Sequence, residues 1–440
     1  MRKVKNLPAI DGELGWYETS PLKQRTPGVR VKGKHEFDVL IVGAGFTGLA
    51  VAGRLAELSP DCKIAIVDAL RVGQGTSGRN AGFIIDLPHN LDANEPDSIF
   101  DRQIYTFNRF AIERLNGIRQ QHQVSCAWQD AGKYMAARES KHAKELAGFV
   151  KTLDGLNAPY EVLEGAQLEQ RLGTSYYRKA VYTPGNILMN PAALAQGVAL
   201  ALPANVTLFE ESPTTAISYG APHRAKFLGG EITAKTAVIC TNSFGEEFGL
   251  VQQRLAPVFT YASLTRPLSE EQARTYFNGI ASWGLTSAHP AGTTVRYTPD
   301  RRIFIRNSFS FETSLRTDQK KLAKAWAQHR ASFEARFPQL VELDFEYTWG
   351  GMLCMTMNHQ SLFERFDNDV YSACGMNGVG VAKGTYLGYY LAEWIAGRSS
   401  PELDFIRQHN QPSWVPPEPL RSVGARIRLG FEVIRASGEV

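Results

Sequence analysis

The first strong apolar run in the chain is Phe37 to Val42, apolar throughout save for Asp38 and rich in β-branched side chains. That composition suits a parallel strand buried on both faces. Ala44 to Leu58 then has helical spacing, with Leu49, Ala52, Ala56 and the small Gly48 and Gly53 predicted to face the sheet. Pro60-Asp61 marks a turn, and Lys63 to Val67 is a second strand, completing a βαβ unit. From Asp101 to about Lys151 the pattern is helical and polar-faced, broken by a strand-like Gly132 to Ala136. Strand patterns return at Val206 to Ile217 and Ile232 to Cys240. Leu255 to Arg306 reads as several strands with turns at Pro290-Ala291-Gly292 and Pro299-Asp300, which suits an antiparallel sheet. A helix from Asp318 to Phe337 follows, and a late helix opens near Gly378, includes Leu387 to Ile395 and stops at Gly397. Ahead of all this, residues 1–35 form a polar arm carrying Trp16 and Tyr17, an aromatic pair expected to dock on the body or on a second subunit.

Composition narrows the class. A net charge of +4 over 440 residues, spread along the chain, gives no reason to invoke nucleic acid. No run reaches the roughly 18 to 20 apolar residues of a membrane span, and the first twenty residues, with Asp11, Glu13 and Glu18 and no apolar core, show no leader pattern. Cys62, Cys126, Cys240, Cys354 and Cys374 form no metal-type spacing. Reduced thiols in a cytoplasmic protein, and no metal site, are expected.

Chemistry enters at Gly43-Ala44-Gly45-Phe46-Thr47-Gly48, a G-x-G-x-x-G that directly follows a strand and opens a helix. The first glycine permits a tight turn, the second lets backbone approach a pyrophosphate, and the third lets helix and strand pack closely. Asp68 ends the second strand 20 residues after Gly48, where a carboxylate hydrogen-bonds ribose and disfavours a ribose phosphate. Beyond Ala69 comes no ordinary helix but a second glycine loop, Arg71 to Phe83, with Gly75, Ser77, Gly78, Arg79, Asn80, Ala81 and Gly82. Such a loop suits an extended dinucleotide, FAD rather than NAD, and a second G-x-G-x-x-G for a nicotinamide partner is missing.

Ser77-Gly78-Arg79-Asn80-Ala81-Gly82 resembles the S-G-R-N-G-G segment of the D-amino-acid-oxidase-like (glycine/sarcosine oxidase) superfamily of FAD enzymes, in particular its gamma-glutamylputrescine oxidase-like branch. Lys235 to Gly245 is similar to a strand that the family ends beside FAD, with Thr241-Asn242 as the departure. Trp349-Gly350-Gly351 with Thr356-Met357-Asn358 resembles the branch's W-G-G and T-M-N element, and Gly375 to Gly380 is similar to G-x-S-G-H-G. The tail from Leu420 also looks like that of the branch. The resemblance covers about residues 36 to 440 and implies an α/β fold: a Rossmann-type FAD-binding domain with a discontinuous antiparallel-sheet (α+β) substrate domain. The expected parts are FAD-binding over 36–90, 161–253 and 346–400, substrate-binding over 91–160 and 254–345, and a tail over 401–440. The same resemblance adds Thr214, Thr241, Asn242, Trp349, Gly351, Asn377, Gly378, Val379 and Gly380 to the cofactor set. Val379 and Ala382 stand where family members often carry histidine and lysine, with Lys383 one residue off, and no cysteine occupies the position of Gly351. FAD is therefore expected to be non-covalent.

The implied activity is oxidation of a C–N bond in a small amine or amino acid, a gamma-glutamylated amine among the candidates, with electrons passing to oxygen or another acceptor. Hydride transfer from a neutral amine needs no dedicated strong base, and the cofactor carries the hard chemistry. The alternatives are a dehydrogenase of proline or pipecolate type and an FAD-binding protein without turnover. For substrate positioning, Arg302 and Arg306 share one face of an expected strand, with Ile303 and Ile305 on the other. Arg306 stands where the branch commonly has glycine, and a guanidinium there suits a carboxylate. Tyr297, His89 and Trp349 complete the candidates.

Overall fold

The computed structural model describes residues 1–9, 12–88 and 98–440. Its first sheet runs in parallel through Val206–Phe209, Ile64–Val67, Gly33–Val42, Gly230–Ile239 and Val370–Cys374, with Leu362–Phe366 antiparallel at one edge. Leu40, Ile41, Ile64, Ala65, Ile66 and Val67 are all buried, as the unbroken apolar runs predict. A helix over Phe46–Leu58 and another over Gly380–Ile395 pack together on this sheet. The contact is made at glycines. A Cβ on Gly384 would lie 2.7 Å from Thr47 Oγ1, and one on Gly388 would lie 2.3 Å from the Thr47 carbonyl oxygen. Gly53, expected to face the sheet like Gly48, instead has open space beside it.

The second sheet orders Phe345–Met355, Ala256–Thr265, Ile303–Phe311, Thr294–Tyr297, Trp283–Ser287, Lys133–Ala137, Lys179–Thr183 and Glu161–Glu164. Its pairs are antiparallel except the parallel junction of Trp283–Ser287 with Lys133–Ala137. Glu161–Glu164 and Lys179–Thr183 thus belong to this sheet, not to the FAD-binding part expected from residue 161, and Phe345–Met355 carries it past the expected end at 345. Local strand pattern cannot say which sheet a strand joins; pairing partners decide that. A helix over Gln319–Arg336, capped by Asp318, covers one face. The other face looks toward the glycine loops.

The amino-terminal arm docks on its own chain. Arg25 makes a fully buried ion pair with Glu210, whose carboxylate also accepts the N–H groups of Gly28 and Val72. Further back, Leu14, Trp16 and Tyr17 pack with Phe304, Trp349, Leu264 and Ala192 between the two sheets.

Candidate functional site

Five chain segments meet where the first sheet's strands end, and glycine makes each approach possible. Gly43 (φ +105°) lies under the Cys240 carbonyl, 2.5 Å from where a Cβ would be. A Cβ on Gly48 would stand 1.8 Å from the Gly43 oxygen, so the third glycine of the motif permits the close crossing expected of it. Gly45 would meet Ser77 Oγ at 2.7 Å, and that hydroxyl accepts the Phe46 N–H at the start of the helix. In the second loop, a Cβ on Gly78 would lie 1.8 Å from the Gly73 oxygen. Gly351 approaches Arg79 from the other sheet, and Gly375 donates its N–H to Asn242 Oδ1.

The result is a cradle with bare backbone and the open N-terminus of a helix, the setting that receives phosphates. Thr214 Oγ1 and Thr241 Oγ1 are buried at this end of the sheet without a partner among the described residues. Asp68 accepts N–H groups from Ala44 at 2.8 Å and Leu70 at 2.9 Å, which leaves lone pairs for ribose hydroxyls. Burial pushes its carboxyl up to about 6, with those N–H groups opposing and Glu210 reinforcing. Glycines that admit no side chain, orphaned hydroxyls and a half-buried acid after the second strand fit an FAD.

The second loop is held from behind. Asn80 donates to the Ser77 carbonyl and accepts from the Gly82 N–H. Trp349 donates its indole N–H to the Arg79 carbonyl, and Trp16 of the arm donates to the Asn80 carbonyl at 2.9 Å. Arg296, fully buried, donates from Nη1 to the carbonyls of Ala81, Gly82 and Met189 and lies over the Trp16 ring. Loss of water pushes the Arg296 guanidinium down to about 9. Asn377 has its side chain committed to Thr356, His359 and Gly375, so it shapes the turn before the helix Gly380–Ile395. Gly378 (φ +85°) lies in that turn, Val379 caps the helix without a side-chain bond, and the first-turn N–H groups stay open. Ala69 lies between Asp68 and Leu70, and Gly75 caps the short helix Thr76–Arg79.

Register decides the substrate candidates. Arg306 pairs with Ala262 and Thr294, and Ala262 pairs with Trp349, so these side chains share the face toward the loop. The Arg306 guanidinium sits 5.0 Å from the Phe309 ring centroid. It has no hydrogen bond or ion pair among the described residues, and burial pushes it down to about 10, still a cation at neutral pH. Arg302 is withdrawn from the set, because ion pairs with Asp300 and Glu346 and a bond to the Thr265 carbonyl consume its guanidinium. Tyr297 is withdrawn as well: it points to the opposite face and stacks on Phe277 at 4.4 Å. His89 lies outside the described residues. Lys383, in the first turn of its helix, has no partner among the described residues and is pushed down to about 8 by burial. Cys354 alternates away from Gly351 into the apolar cluster of the first sheet, where burial pushes its thiol up to about 12.

Arg296, Glu210 and the anchoring part of Trp16 are not among the sequence candidates. The alternation that removes Tyr297 from the cleft is the same signal that points its neighbour Arg296 into it.

Comparison with known proteins agrees with this geometry. Residues 38–394 match the DAO family model, FAD dependent oxidoreductase. The chain is similar to gamma-glutamylputrescine oxidoreductase of Escherichia coli (strain K12), at 25% identity over 82% of this chain and 84% of that one. It is also similar to the probable oxidoreductase OrdL of Rhizobium meliloti (strain 1021), at 24% identity over 97% and 98%. Among solved structures, glycine oxidase from Geobacillus kaustophilus shares the fold with a TM-score of 0.69 and 18% identity, covering 83% of this chain and 96% of that one. With its glycine cradle, an acid at the end of its second strand and a family match over most of its length, the chain belongs to the DAO family of FAD-dependent oxidoreductases.

Proposed function

We propose that this enzyme oxidises the C–N bond of a small amine or amino acid bearing a carboxylate, and that Arg306 binds that carboxylate. The observation that supports it most is the unpartnered guanidinium of Arg306 on the sheet face turned toward the glycine loop. A half-buried cation without a counter-charge has given up part of its hydration and gained nothing in exchange. A substrate carboxylate received by its planar fork relieves that cost and fixes orientation at once. Bound FAD supplies the hydride acceptor. The chain's own residues then have three tasks. Arg306 orients the substrate, and Trp16, Trp349 and Arg296 keep the second loop from moving. The open end of the helix Gly380–Ile395 favours negative charge at the cleft edge.

The name of the Escherichia coli relative makes gamma-glutamylated amines, which carry a carboxylate, the first class to try. The deciding experiment mixes anaerobic enzyme with paired amines that differ only in a carboxylate and follows bleaching of the flavin. Bleaching by the carboxylated partner is expected. Equal rates for both partners overturn the role of Arg306, and no bleaching by any amine or imino acid overturns the C–N reading. Val379 and Ala382 stand where family members often carry histidine and lysine, so a dehydrogenase passing electrons to an acceptor other than oxygen is the alternative to test. An oxygen electrode run with a bleaching substrate separates oxidase from dehydrogenase.

A further inference from the structure

The helix Leu420–Arg435 is amphipathic, yet it is mounted the wrong way round for a core helix. Its less exposed residues are Arg421, Ser422, Ala425, Leu429 and Glu432, which make one face. Leu420, Val423, Ile427, Phe431 and Ile434 make the opposite stripe, and that stripe points outward, with Phe431 63% and Ile434 71% exposed. No residue of the helix is buried. The mounting is firm. Arg421 bonds Glu246, Glu418 and the Leu255 carbonyl at one end, and beyond the other the Glu439 carbonyl accepts from Arg336 and from the Thr293 N–H. Five large apolar side chains in a row are therefore held in water by a fixed scaffold.

Charge says what covers them. Four of the five charged residues of the helix are arginines; Arg428 pairs with the exception, Glu432, while Arg435 flanks the stripe on one side and Arg426 on the other. An apolar stripe with cationic flanks matches a helix lying in a bilayer interface, its arginines reaching to phosphate level. A second copy of the chain fits less well. A helix of this length is about 24 Å long, so two stripes back to back bury roughly 500 Å², short of the roughly 1,200 Å² of a stable interface. Such a pair also brings arginine flanks together. Among the described residues no helix is long and apolar enough to cross a membrane, so the contact is with the surface.

We propose that Leu420–Arg435 docks this enzyme flat on an anionic lipid surface, with Leu420, Val423, Ile427, Phe431 and Ile434 among the acyl chains and Arg426 and Arg435 at the headgroups. The inference is independent of the substrate. The test is co-sedimentation of the FAD-loaded enzyme with vesicles of phosphatidylcholine alone or mixed with phosphatidylglycerol, at low and high salt. Binding to the mixed vesicles, weakened by salt, is expected. The double variant Ile427→Ser/Phe431→Ser should bind at least about tenfold more weakly, because two large side chains leave the acyl region. Arg426→Glu/Arg435→Glu should bind more weakly at low salt, and both variants should keep flavin content and Tm. No binding above the phosphatidylcholine level, or binding that both variants leave unchanged, overturns the proposal. So does a dimer in sedimentation velocity that Ile427→Ser/Phe431→Ser dissociates, which assigns the stripe to a second copy.

Discussion

Arg306 and Asp68 are two half-buried ionisable groups in opposite conditions. Arg306 has lost water and gained no partner, whereas Asp68 has lost water and gained two N–H donors. Removing Arg306 should cost binding of a carboxylate substrate about 2–5 kcal/mol. Arg306→Ala is expected to raise KM strongly with unchanged flavin content and Tm, and Arg306→Lys to recover only part, since lysine lacks the planar fork. Steady-state kinetics on a carboxylate and a matched neutral substrate checks this. Asp68→Ala should weaken FAD binding roughly tenfold to a hundredfold, the value of a charged hydrogen bond of about 1.5–3 kcal/mol. The pH dependence follows from its raised pKa. The folded apoprotein holds this proton up to about pH 6 and the unfolded chain only to about 3.8, so Asp68 stabilises the apoprotein fully below pH 3.8, and that contribution is lost as pH rises through 6. FAD acts the other way, because ribose hydroxyls donate to the ionised carboxylate. Affinity of the apoprotein for FAD should fall as pH drops through about 6, and Asp68→Asn should flatten the profile. A titration of apoprotein fluorescence across that range decides it.

At the scale of elements, two glycines of one helix offer a controlled comparison. Gly48→Ala puts a methyl group 1.8 Å from a backbone oxygen, which no rotamer relieves, so the protein should lose FAD and melt at lower temperature. Gly53→Ala, with open space, should keep FAD and gain up to about 1 kcal/mol of stability from helix propensity. Equal behaviour of the two in thermal melts with and without FAD removes the close crossing from the account. The arm is a second element with a measurable part. Trp16 is packed among Phe304, Trp349 and Arg296 and bonds the Asn80 carbonyl, so Trp16→Ala should cost about 3–5 kcal/mol and release FAD more readily on dialysis. The sequence marked an aromatic pair in a polar arm as a docking device, but its target lay more than sixty residues away.

Over the whole molecule, the cofactor is expected to leave with acid. Cys354 sits on the face away from Gly351 with its thiol protonated, so precipitation should release FAD into the supernatant; yellow colour staying in the pellet contradicts this. What the sequence determined by itself were the features whose physics is local. The glycine motif, the acid after the second strand, the buried parallel strands and the capped helix at Asp318 all depend on neighbours within a few residues or one turn. The tertiary structure decided which face of each strand meets the cleft. Alternation at Arg296-Tyr297 and Arg302 to Arg306 says which side chains go together, not which sheet or solvent lies opposite. Long-range pairing therefore placed Arg296 against Gly82, tied Arg302 to Glu346 and left Arg306 facing the loop. Pairing likewise put Glu161–Glu164 and Lys179–Thr183 into the second sheet. It also turned the apolar stripe of the last helix outward, because amphipathicity gives a helix two faces and only its anchors at Glu246 and Glu439 settle which one the body keeps.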